Sequence, residues 1–142
     1  MRALVQRVSS ARVSVAGRPI SEIGAGMLVL LGVTHSDDEA TAAKMAARLA
    51  KLRIFEDADG RINEPLGERE VLCVSQFTLY AEIAKGNRPS FTAAAPAERA
   101  EALYEAVCEA LGASRGAFGA KMDVELLNDG PLTLMVEVEP NS

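Results

Sequence analysis

Hydrophobic residues alternate with polar ones in some stretches of this chain and recur at helical spacing in others. Arg2 to Ser9 reads as a first strand and Ala11 to Ala16 as a second, with Val13 and Val15 alternating against Arg12 and Ser14, the period of a half-buried strand. Gly17-Arg18-Pro19 carries turn chemistry. Gly26 to Val33 is apolar on both faces, which predicts a strand covered on both sides. Ser36, with Glu39 three residues later, gives a capping-box pattern ahead of Ala42, Met45, Leu49 and Leu52. These form one apolar stripe of a helix, with Lys44, Arg48 and Lys51 off it.

Asp57-Ala58-Asp59-Gly60 predicts a turn, and Val71 to Tyr80 a further apolar strand. Pro96 suits the first turn of a second helix, whose stripe is Ala100, Leu103, Val107 and Leu111 and which Gly112 ends. Two alternating stretches, Met122 to Leu126 and Leu132 to Val138, predict strands on either side of Asn128-Asp129-Gly130-Pro131. The expected order is β-β-β-α-β-α-β-β: a mixed α/β single domain over residues 1–142, a sheet with helices on one side.

Composition narrows the picture. Half the residues are apolar, but Trp is absent and aromatics are scarce, so the core is aliphatic. Cys73 and Cys108 lie in apolar stretches without CxxC spacing, and His35 is the one histidine. That set assembles no zinc site of the usual kind; no metal or cofactor is expected. The longest apolar run, Met27 to Leu31, is too short to span a membrane, and the N-terminal residues carry no signal-peptide pattern, so a cytoplasmic location is expected. A net charge of −5 argues against a grip on long nucleic acid and leaves room for contact with a short end through a local basic patch.

Three polar interruptions stand out. Ser75, Gln76 and Thr78 break the strand that otherwise reads as buried; they either bridge neighbouring strands or line a polar cradle that offers backbone N–H groups to a substrate. Asn128-Asp129-Gly130-Pro131 reads as a hairpin turn, or as a rigid wall presenting only backbone carbonyls. Lys85 and Arg88, in Lys85-Gly86-Asn87-Arg88-Pro89-Ser90-Phe91, are a solvated loop or phosphate contacts beside the cradle. A Ser-His-Asp triad is not expected, because His35 sits in the polar stretch Thr34-His35-Ser36-Asp37. GxSxG, P-loop and GxGxxG patterns are absent.

The pair Ser75-Gln76-Phe77-Thr78-Leu79 and Asn128-x-Gly130-Pro131-x-Thr133 resembles the two signature motifs of D-aminoacyl-tRNA deacylases. The resemblance extends through Val5-Gln6-Arg7-Val8, Leu52 to Asp57, Lys85 to Phe91 and Phe118-Gly119-Ala120-x-Met122. One departure is a shorter stretch from Asn63 to Glu70. The resemblance implies a fold of two β layers and a helical layer. It further implies a homodimer with sites at the interface, acting on the 3′ CCA end of aminoacyl-tRNA. Ser75, Gln76, Phe77 and Thr78 would hold the terminal aminoacyl-adenosine. Gly130-Pro131, cis in that family, would reach in from the partner subunit, anchored by Arg7 and supported by Asn128 and Thr133. Phe118 and Ala94 would pack near the adenine, with Lys85 and Arg88 toward the RNA. The expected activity is hydrolysis of the ester joining a D-amino acid or glycine to tRNA, with L-esters excluded by the Gly-Pro step and the ribose 2′-OH assisting. An RNA-end binding module and an esterase for free D-amino acid derivatives are the rival readings.

Overall fold

The computed structural model describes residues 1–140. The elements are β1 (Arg2–Val15), β2 (Arg18–Ile23), β3 (Gly26–Gly32), α1 (Glu39–Lys51), β4 (Phe55–Glu56), β5 (Ile62–Glu64), β6 (Glu70–Ser75), a 3₁₀ turn (Phe77–Tyr80), α2 (Ala97–Leu111), β7 (Ser114–Arg115) and β8 (Asp123–Glu137). The expected β-β-β-α-β-α-β-β order therefore gives way to β-β-β-α-β-β-β-α-β-β, while the mixed α/β class holds.

The two N-terminal strands of the sequence reading are one. Ser9 and Ser10 are exposed where the β1 register against β8 shifts, so the strand bends without breaking. The irregularity also exchanges the faces of the strand. Ala3 and Val5 belong to one hydrophobic cluster, and Val8, Ala11 and Val13 to another.

β8 pairs antiparallel along one edge of β1, from Arg2↔Glu137 to Ser14↔Asp123. The other edge is shared: β3 takes Arg2 to Val8 and β2 takes Ala11 to Val15. β6 then joins β3 in parallel, and β7 joins β6. β2 lies back over β6 and β7, where the Ser21 hydroxyl donates to the Arg115 carbonyl (2.5 Å) and the Gly24 N–H to Glu70 (3.1 Å). The sheet thus forms two β layers. Leu28, Leu72 and Val74 fill the space between them with Val13 and Ile23. Met27, Val29, Leu31, Val71 and Cys73 face the opposite way, onto Met45, Leu49, Leu103 and Val107 of the helices. β3 is covered on both faces, as its unbroken apolar run predicts. Each fully buried Leu or Val there contributes about 1.5–3 kcal/mol.

α1 starts two residues later than the capping pattern predicts. Asp38, not Ser36, is the N-cap: its carboxylate accepts from the Thr41 N–H (2.9 Å), and the Thr41 hydroxyl accepts from the Asp38 N–H (3.3 Å). The Thr41 N–H, joined by the Thr41 hydroxyl (2.8 Å), holds the Asp38 carboxyl below its ordinary pKa. The preceding residues are committed elsewhere, because Asp37 is buried, accepts from the Thr34 N–H (2.8 Å) and pairs with the Met1 ammonium (2.9 Å). α2 ends on Gly112, as expected, but Pro96 stands just outside its first turn as the N-cap, with a non-helical ψ of 147°.

The strand expected over Val71 to Tyr80 stops at Ser75, and the chain turns into the 3₁₀ segment. The C-terminal hairpin is likewise absent. β8 runs through Asn128 to Pro131 as one strand, with both halves on β1. Among the described residues, no helix is long and apolar enough to cross a membrane.

Candidate active site

A cavity of about 550 Å³ opens where β6 ends. Val74, Ser75, Gln76 and Phe77 line one side, Phe91, Ala94 and Ala95 another, and Phe118, Gly119, Ala120 and Met122 a third. The turn after β6 is a property of Gln76. Its N–H still bonds to the Leu31 carbonyl of β3 (2.8 Å), but its carbonyl accepts from the Leu79 N–H (3.2 Å), which starts the 3₁₀ turn. The leading N–H groups of such a turn have no acceptor within it; here they belong to Phe77 and Thr78.

The Thr78 hydroxyl accepts from the Gln76 side-chain amide. In either orientation, an amide is no general base. Phe77 is exposed and meets Phe91 edge-on, with ring centroids 5.1 Å apart. Phe91 follows a loop closed by the backbone pair Glu82–Ser90 (2.8 and 2.9 Å). Lys85 and Arg88 lie exposed on that loop. Five sequence-predicted residues, Ser75, Gln76, Phe77, Ala94 and Phe118, thus surround one cavity, with Thr78 bonded to its rim.

Sequence reasoning missed the residues that hold these walls in place. The buried Tyr104 hydroxyl donates to the Cys73 carbonyl (2.7 Å) and accepts from the Gly116 N–H (3.3 Å), and its ring lies 6.0 Å from Phe118. Burial pushes its phenol well above the ordinary pKa, so it remains a neutral donor. The Met122 sulfur accepts from the Ala117 N–H (3.3 Å), steadying the turn that carries Phe118. Across the cavity, Thr34 donates to the Ala93 carbonyl (2.5 Å), and His35 contacts the Thr92 carbonyl through Nε2 (2.6 Å). His35 therefore braces a wall. Apart from the Ala117–Met122 bond, these are contacts between distant segments, which no local pattern signals. Cys73 and Cys108 are buried free thiols. The hydrogen bond to Cys108 and burial push the Cys73 thiol up.

The second group of predicted residues gathers elsewhere. β1 advances from Gln6 to Val8 while β8 runs from Thr133 back to Asn128, so Asp129 to Leu132 bulge out of the ladder. Asn128 closes the bulge. Its side chain accepts from the Leu132 N–H (2.8 Å) and donates to the Leu132 carbonyl (3.2 Å) and the Thr133 hydroxyl (3.1 Å). The Gln6 amide donates to the same hydroxyl (3.2 Å).

Arg7, 4% exposed, donates to the Asp129 carbonyl (2.8 Å) and the Ile54 carbonyl (2.8 Å). Glu56 and Asp129 carboxylates lie 3.7 and 3.5 Å from it. The Gly130–Pro131 bond is cis, and Gly130 has φ 149°; a Cβ there would stand 2.7 Å from the Leu132 nitrogen and 3.1 Å from Arg7. Only glycine fits this position. Gly130 and Pro131 are exposed, and neither lines the cavity of its own chain. Among the described residues, no group of His, Cys, Asp and Glu side chains could hold a metal ion.

The whole chain has relatives. It is 52% identical over 144 residues to the D-aminoacyl-tRNA deacylase of Myxococcus xanthus, covering 96% of this chain and 94% of that one. It is 48% identical over 145 residues to the D-aminoacyl-tRNA deacylase of Idiomarina loihiensis, covering 97% and 100%. A solved structure described as "c-Myc DNA Unwinding Element Binding Protein" superposes with a TM-score of 0.92 at 41% identity, over 99% of both chains. A chain from a "Structural Analysis of a probable eukaryotic D-amino acid tRNA deacylase" shares the fold, at a TM-score of 0.82 and 17% identity. Residues 4–137 match the family model of D-Tyr-tRNA(Tyr) deacylase, and the chain belongs to that family.

Proposed function

We propose that the chain hydrolyses the ester between a D-amino acid, or glycine, and the 3′-terminal adenosine of tRNA, and that it rejects L-esters by steric exclusion. The observation that carries this reading is the turn at Gln76 to Thr78, which ends a buried strand at the rim of an apolar cavity and frees two backbone N–H groups. The adenine would enter between Phe118 and Ala94. The ester carbonyl would then lie by the Phe77 and Thr78 N–H groups, which stabilise the oxyanion formed as water attacks the carbonyl carbon. The bond to the ribose 3′-oxygen breaks, releasing the free amino acid and tRNA. Among the described residues, no side chain on the rim is placed as a base, which suits assistance by the neighbouring ribose 2′-OH. The aminoacyl ester is reactive enough for this. Lys85 and Arg88 would meet phosphates of the CCA end.

Selectivity comes from the bulge. In a homodimer the exposed Gly130-Pro131 step of one protomer would enter the cavity of the other. Its carbonyls would accept from the substrate ammonium, while its surface would collide with an L side chain and leave a D side chain outside. This is selection by clash, so the pocket need not read the D side chain at all. The dimer is supported by β8, an edge strand that among the described residues pairs only to β1 and that exposes Leu126, Leu127 and Met135.

The test is hydrolysis of D-Tyr-tRNA and L-Tyr-tRNA side by side. Loss of the D-ester alone is expected. Loss of both would remove the exclusion mechanism, and loss of neither in a protein that binds tRNA would favour an RNA-end binding module.

A further inference from the structure

The 3₁₀ turn that carries Phe77 and Thr78 is four residues long, and so short a piece of 3₁₀ helix holds its own geometry poorly. Two features outside it fix where it lies. The first is a seat. Gly32 ends β3 directly beneath the turn, and a Cβ there would stand 3.0 Å from the Leu79 Cβ, 3.1 Å from the Gln76 carbonyl oxygen and 3.2 Å from the Tyr80 ring. The second is a clamp. Arg2 is the cross-strand partner of Gly32 on one side and of Glu137 on the other. Its Nη1 donates to the Leu79 carbonyl (2.8 Å), its guanidinium lies 4.5 Å from the centre of the Tyr80 ring, and its Nε sits 3.6 Å from Glu137.

We propose that Arg2 is a positioning residue for the hydrolysis, holding the Gln76–Thr78 segment in register with the cavity through Leu79 and Tyr80; this rests on the deacylase reading above. As a surface ion pair with Glu137, Arg2 would contribute little. The contacts that matter are those to the turn. A cation at the closing carbonyls of a helical turn is favourable, and the same charge is attracted to the face of the Tyr80 ring. Gly32 removes the steric barrier to the seated position, and Arg2 supplies the attraction that keeps the turn there. Arg2 touches no substrate in this scheme. It acts through the backbone that does.

Arg2→Met keeps the aliphatic stem and removes the guanidinium, whereas Arg2→Lys keeps a cation within reach of the Leu79 carbonyl. With D-Tyr-tRNA, Arg2→Met is expected to lower kcat about 10- to 100-fold, the scale of a misplaced reacting group, with KM within about twofold. The melting midpoint should hold, the amide resonances of Phe77 and Thr78 should shift, and Arg2→Lys should recover most of both. Wild-type kcat in Arg2→Met would overturn the proposal. So would an equal loss in both variants that tracks a fall in melting midpoint, since that marks a purely structural role. If the wild-type chain itself leaves the D-ester intact, the deacylase reading falls separately, and the resonances decide the clamp. Shifted in Arg2→Met and restored in Arg2→Lys, they sustain it; unmoved, they overturn it.

Discussion

Thr78 is the residue at which two chemistries separate. Its hydroxyl accepts from Gln76 and faces no base, so it is a hydrogen-bonded rim group and a poor nucleophile. Thr78→Ala is expected to cost about the 0.5–1.5 kcal/mol of that bond, roughly 2- to 13-fold in kcat. A lost nucleophile instead costs on the order of 10⁶, so single-turnover kinetics on D-Tyr-tRNA decides. Arg7 separates differently. Removing its buried guanidinium leaves the Asp129 and Ile54 carbonyls without their donor, at about 1–3 kcal/mol for each that stays buried. Urea unfolding of Arg7→Ala should show that loss, and the variant should also hydrolyse some L-ester as the bulge loosens. Residue types were the most legible layer of the sequence. Gly130-Pro131 was readable as a rigid step presenting only backbone carbonyls, and Arg7 through the motif it accompanies. Tyr104 and Arg2 were not readable, because their work is done on Cys73, Gly116 and Leu79, residues 12 to 77 positions away.

Among the elements, periodicity found both helices and the buried β3, where packing and local pattern agree. It failed where tertiary pairing overrode local turn chemistry. Asn128-Asp129-Gly130-Pro131 has every local mark of a hairpin, yet β1 extends past it on both sides and recruits both halves of β8. The β6 boundary failed for a related reason: Leu79 and Tyr80 are apolar enough to continue a strand, but they are spent on the seat over Gly32, and Phe77 meets Phe91 instead. The Gly-Pro step is thus a rigid projection from a sheet. Pro131→Ala removes the ring that would meet an L side chain. Hydrolysis of L-Tyr-tRNA should rise with D-Tyr-tRNA activity largely kept, measured as the ratio of the two kcat/KM values. An unchanged ratio would mean that something other than this step excludes L-esters.

At the scale of the molecule, a net charge of −5 and a short basic loop fit a ligand held by its end. The affinity for tRNA should fall with salt only as roughly two or three released counterions require. A slope near that of duplex-binding proteins would place much more of the RNA on the surface. Mixing two variants tests whether the site is shared between two copies of the chain. One chain carries Phe77→Pro, which removes a rim N–H; the other carries Gly130→Ala, which forces the bulge apart. If each site draws on both subunits, exchange between the two defective proteins should regenerate one intact site and restore selective hydrolysis. If each site is built within one chain, mixing should restore nothing.

The bulge of β8 has one more consequence. The ladders on either side of it are each registered on β1 independently, and Asn128 closes the gap with its own side chain. The intervening residues carry no part of the sheet's pairing. Outside Gly130, where only glycine fits, such a segment can drift in sequence while the scaffold beneath it stays constant. If the tip meets the substrate as proposed, replacing a few residues there would change which esters are excluded, with the fold under no pressure to follow.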